Sequence, residues 1–210
     1  MKGLAWITLS MLIAVAAWAA PEPSKAPRAW ELDVEFHDLQ RITVTVDGKP
    51  TSYWYLLYTV TNNAAEDVEF FPSFDLVTNE LQVVPANDGI HPSVYDAIEA
   101  RYRKTYPFFR NPMKVNGKLL QGADNARTSA AVFREFSAEA NRLTIYGGGF
   151  SGEIVRMPNP TFDPNKPEND QNQRFFVLRK TLAIQYDVPG DPQTRLTSSA
   201  TRRGMEWIMR

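Results

Sequence analysis

The run SYWYLLYTV at Ser52–Val60 constrains the fold more than any other part of the chain. Side chains alternate along an extended strand. Trp54, Leu56, Tyr58 and Val60 therefore fall on one face, and Tyr53, Tyr55 and Leu57 on the other. A strand with one wet side alternates apolar with polar residues, and this one does not. Either it is covered on both faces, or one face is an aromatic platform. On the platform reading, Tyr53 and Tyr55, with Tyr106, Phe108 and Phe109, form a binding surface, because rigid aromatic area anchors glycans and proteins at low entropy cost. The sequence also offers a cover. PSVYDAIEARYRKTY predicts an amphipathic helix over Pro92–Tyr106, with Val94, Ile98 and Tyr102 four residues apart. We expect that helix, or the YPFF that follows it, to bury the second face, since an open one would be a large exposed apolar patch.

The flanking sequence is a series of strands and turns. Trp30, Leu32, Val34 and Phe36 alternate with Glu31, Asp33 and Glu35. Ile42, Val44 and Val46 form a second alternating set, and DGKP turns the chain into the opening strand. NNAAED at 62–67 turns it again, and VEFF is expected to pair back before Pro72. Further strands are expected near 74–78, 81–84, 114–120, 130–136, 142–150 and 174–188. The final one, around Met205–Met209, should lie antiparallel to Leu182–Val188 with Trp207 turned into the core. MPNPTFDPNKPENDQNQ at 157–173 reads as a polar loop. The expected fold is mainly β, an immunoglobulin-like antiparallel β-sandwich with one inserted α-helix at about 92–106.

YTVTNNAAEDVEFFPSF resembles a recurring piece of bacterial immunoglobulin-like domains, in which a strand ending in TVTNN turns and an aromatic strand returns. LTIYGGGFSGE, LRKTLAIQYDVPGD and EWIMR look like uncharacterised secreted bacterial proteins of this kind. The resemblance implies a fold and an envelope location, and it carries over no active-site residue. The disulfide of antibody domains has no counterpart, because the chain has no cysteine.

The N-terminus fits that address. Lys2, an apolar stretch from Leu4 to Ala17 and the small residues of Ala17-Trp18-Ala19 predict a signal peptide over 1–19, cleaved before Ala20. The stretch is shorter than the ~20 apolar residues of a membrane span, so no span is expected after cleavage. Residues 20–29, rich in proline, read as a flexible lead-in, and 30–210 as one elaborated domain. The expected location is periplasmic or secreted. With 23 basic and 24 acidic residues, the net charge is -1, and it falls to -2 when Lys2 is removed. That gives no electrostatic case for nucleic acid.

Catalytic and metal-binding patterns are thin. His37 and His91 are the two histidines, too few and too separate for a zinc site. GGGF at 147–150 lacks the Lys-Ser/Thr of a phosphate loop and reads as a turn or bulge needing positive φ. Asp163, Asn165, Glu168, Asn169 and Asp170 are oxygen-rich, but no glycine supplies the sharp turn of a calcium loop. Glu135, Glu139 and Glu153 read as surface charges. We expect no catalytic residue, metal ligand or cofactor, and a binding or structural role toward an envelope protein or glycan. The alternative is a hydrolase whose site is assembled from the 157–173 loop and the surroundings of His91.

Overall fold

The computed structural model describes residues 21–195 and 197–210. The expected signal peptide, 1–19, lies outside them. The chain is mainly β, in antiparallel sheets. In order, the strands are β1 (Asp33–Phe36), β2 (Gln40–Val46), β3 (Lys49–Thr61), β4 (Val68–Phe70), β5 (Ser73–Thr78) and β6 (Val83–Pro85). Helix α1 (Pro92–Tyr102) follows, then β7 (Gly117–Leu119), β8 (Arg127–Arg134), β9 (Arg142–Gly148), β10 (Ile154–Pro158) and β11 (Phe175–Asp187). A short helix, α2 (Pro192–Arg195), precedes β12 (Thr201–Met209).

The run Ser52–Val60 lies in β3, the axis of the first sheet. β3 pairs with β8 along one edge, from Tyr53↔Arg134 to Val60↔Arg127. Its other edge is shared by β2 at the start and β1 at the end. In the second sheet, β11 is flanked by β9 and β12, and β9 continues to β5 and β6. β10 runs on from β9 along the first half of β11, where the Lys180 amide donates to the Glu153 carbonyl at 3.0 Å.

The inner faces of the two sheets share one core. Trp54, Leu56 and Tyr58 of β3 and Phe133 of β8 meet Leu76, Ile145, Ile184 and Tyr186 of the second sheet. Phe36, Tyr58, Phe74 and Phe150 cluster there with ring centres 5.1–6.3 Å apart, the spacing of favourable edge-on and tilted aromatic pairs. β12 is antiparallel to β11, with Leu182 opposite Trp207. Trp207 is half-buried against the core.

The other face of β3 is covered by α1. Tyr53, Tyr55 and Leu57, with Ile42, Ala130 and Val132, pack on Val94, Tyr95 and Ile98. The Tyr55 hydroxyl sits in a polar knot, donating to Gln40 Oε1 at 2.8 Å beside Tyr102 Oη at 2.9 Å and Arg101 Nη1 at 2.9 Å. Burial first, then the Tyr102 hydrogen bond, pushes its phenol above the usual tyrosine range. The helix ends at Tyr102, not at Tyr106. Pro107 disfavours helical geometry at the residue before it, and 103–105 leave in a turn.

Three other expectations are corrected. VEFF does not pair with β3, since β4 forms a separate ribbon with β7. β10 falls partly in the stretch read as loop, and its alternating exposure carries no core face that a pattern could reveal. The helix at 92 is not alone, because α2 lies in the connection before β12, where the Asp191 carboxylate accepts the amides of Gln193 and Thr194. Four residues are too few to show a helical period.

Candidate ligand-binding site

The five residues expected as a binding surface lie in different surroundings. Tyr53 and Tyr55 are buried under α1. Tyr106 is half-buried, its hydroxyl 2.8 Å from His37 Nε2, and Phe109 packs on the same layer. Phe108 alone of the five is open, at 84% exposure. His91 caps α1, its Nδ1 accepting the Ser93 amide at 3.3 Å. The oxygen-rich loop is organised around the buried Asn172, whose side-chain amide donates to the carbonyls of Asp163, Lys166 and Pro167. Among the described residues no three His, Cys, Asp or Glu side chains come together as a metal cluster.

A concave site lies instead on the outer face of the second sheet. Register sets one row across that sheet: Asp75 on β5, Tyr146 on β9, Ala183 on β11 and Glu206 on β12. Ala183 is small, so the row is low between Tyr146 and the far edge. One cleft of about 490 Å³ lies toward Gly148, lined by Trp30, Phe71, Asp75, Tyr146, Arg179 and Arg210, with hydroxyls from Ser73, Ser151 and Thr181. A second, of about 420 Å³, lies toward Arg142, lined among others by Val77, Thr144, Gln185 and Arg203. Tyr146 lines both. The two clefts meet at Tyr146 and together border β9, whose seven residues span about 20 Å at the rise of a strand; this pair of clefts is the trough.

Local backbone demands build the wall of this trough. Gly149 has φ +85°, and a Cβ there would lie 2.4 Å from the Phe71 carbonyl oxygen. Only glycine lets the chain turn so tightly against Phe71, which stands on the rim at 59% exposure. Gly152 lies against the Trp30 indole, where a Cβ would approach within 2.6 Å. The expected turn in GGGF is thus present, and it shapes a cleft.

The floor is fixed electrostatically. Arg210 Nη1 is 3.1 Å from Asp75 Oδ2, and its guanidinium carbon is 4.4 Å from the Tyr146 ring centre. Pairing and stacking together hold a flexible side chain in one orientation. Aromatic walls, planar charged groups and hydroxyls are the furniture of a binding cleft, and each cavity falls within the ~300–1,000 Å³ of ordinary ligand sites.

A second polar centre lies on the opposite side of β11. Lys180 is only 3% exposed, and its ammonium is 2.6 Å from Glu31 and 3.5 Å from Glu153. Glu153, expected at the surface, is 6% exposed. Its partner lies on another strand, so neighbouring sequence gave no sign of burial. The segment expected as a flexible lead-in is tied here: the Ser24 amide donates to Glu153 Oε1 at 2.9 Å, and Lys180 donates to the Ser24 carbonyl at 3.2 Å. The Ser24 hydrogen bonds, then Lys180, hold the Glu153 carboxyl below the ordinary glutamate range.

Among known proteins, no family model, curated protein or solved structure matches this chain. No helix among the described residues is long and apolar enough to cross a membrane.

Proposed function

We propose that this protein is an extracytoplasmic, immunoglobulin-like β-sandwich domain that binds a glycan chain in the trough along β9, without catalysing its breakdown. The observation that carries the reading is the Tyr146–Arg210–Asp75 group, which lines the first cleft and whose Tyr146 also lines the second. A sugar presents apolar C–H faces and a ring of hydroxyls that both donate and accept. Trp30, Phe71 and Tyr146 offer aromatic surface for the first. Asp75, Glu69, Arg179, Arg210 and the hydroxyls of Ser73, Ser151 and Thr181 offer acceptors and donors for the second. Two adjoining clefts suit an oligosaccharide better than a single unit. The signal-peptide pattern at 1–19 supports an extracytoplasmic setting, where such polymers are found.

Calorimetric titration with soluble peptidoglycan fragments and with chito-, cello- and xylo-oligosaccharides tests this reading. Binding of one class, lost in Tyr146→Ala, is expected. No heat with any of them, or binding unaltered by that substitution, would count against it.

A further inference from the structure

The outer edge of β12 is unpaired among the described residues, since its ladder is with β11 alone. Arg210 exchanges backbone hydrogen bonds with Arg179, so its amide and carbonyl face β11. Those groups alternate in direction along a strand. Met205, Trp207 and Met209 therefore turn their backbone N–H and C=O groups outward. Folded proteins blunt such edges with lysine, proline or a covering loop. GMEWIM at 204–209 has no lysine or proline and a single charge, Glu206, and Met205 is half-exposed.

A groove of about 590 Å³ runs beside this edge. One wall is Glu206–Met209, and the other is Pro21–Lys25, held at Ser24 by the Lys180–Glu153 clamp. The groove's lining charges are unequal. Lys180 is committed to Glu31 and Glu153, which leaves Glu22 and Glu206 against Lys25. The apolar surface comes from Trp207 and Met209 on the core side and Ile208 on the outer side.

The geometry points to a second binding site: an extended peptide with alternating apolar and basic residues adds to the sheet along β12, between that strand and residues 21–25. Its backbone pairs with the outward groups of Met205, Trp207 and Met209. Its apolar side chains lie beside Trp207, and its basic ones reach Glu206 and Glu22. Main-chain bonds supply affinity in this mode, and alternate side chains supply choice. The site is separate from the trough along β9, so either can fail without the other.

The test uses the full mature chain and the blocked peptide Lys-Val-Lys-Val-Lys, with Glu-Val-Glu-Val-Glu as comparison. Amide hydrogen exchange is followed by NMR. The basic peptide is expected to slow exchange at Met205, Trp207 and Met209. Glu206→Lys should weaken it about fivefold, the scale of one exposed charge pair, and improve the acidic peptide. The proposal is overturned if those amides are not protected, or if Glu206→Lys leaves the preference unchanged. It is also overturned if the amides become protected without peptide as protein concentration rises, because the edge would then belong to a second copy of this chain.

Discussion

The guanidinium carbon of Arg210 sits 4.4 Å from the ring centre of Tyr146, and the same side chain is paired with Asp75. β9, β5 and the residue just past β12 thus contribute to one charged aromatic group lining the trough. Arg210→Ala should leave the fold intact, because exposed ion pairs contribute ~0–1 kcal/mol. Glycan affinity should fall about tenfold, or ~1.4 kcal/mol. Calorimetry and a urea melt on the same variant check both halves.

The layer beneath α1 should be essential to stability. Ile98 is fully buried there, so Ile98→Ala should cost about 2–5 kcal/mol. Tyr55→Phe should cost only about 1 kcal/mol, the net worth of a hydrogen bond, because Tyr102 still donates to Gln40 at 2.9 Å. Urea denaturation of both variants tests the contrast. Equal losses would mean that the polar knot, and not apolar burial, secures the helix.

Trp207 offers an intermediate case. It is half-buried, with the Lys180 ammonium 5.0 Å from its ring centre. Trp207→Ala should therefore cost less than the ~3–5 kcal/mol of a fully enclosed ring. Ending the chain before β12 should abolish folding, since β11 would lose its neighbour on one edge and the core would lose Trp207 and the buried Met209. Circular dichroism and analytical ultracentrifugation of the truncated chain read this directly.

Glu153 should add a pH dependence. Its folded pKa is depressed by Ser24 and Lys180. A depressed carboxylate stabilises the fold above its unfolded value, about 4.3. That stabilisation is lost as pH falls through the lower folded value. The advantage of the native protein over Glu153→Gln should stand in full above about pH 5 and shrink with acid. Melting temperatures of the two proteins across that range measure it. A gap that stays constant with pH would show that the carboxylate does not titrate in this way.

What the sequence revealed depended on whether a pattern had a core to report. β3 is apolar on both faces because two layers enclose it, and the four-residue steps of α1 identified one of its covers. The sequence of β12 alternates Met205, Trp207 and Met209 with Glu206 and Arg210, so its pairing with β11 was legible, although only Met209 of the three is buried. β10 was not, because its residues alternate between half-buried and exposed without a core face. The trough was hidden for a related reason. Asp75, Tyr146 and Thr181 occupy the polar positions of their strands, which pattern reading assigns to solvent. Only the register across three strands shows that they surround a hollow. The burial of Lys180 was equally invisible, since its partners Glu31 and Glu153 are distant in sequence.

The most direct test of the glycan-binding account is NMR mapping of the mature protein during titration with the oligosaccharide that binds. Saturable shifts are expected at the amides of Asp75, Tyr146, Thr181 and Arg210 and at the Trp30 indole, with their loss in Tyr146→Ala. Shifts confined to other surfaces, or shifts that persist unchanged in that variant, would contradict it.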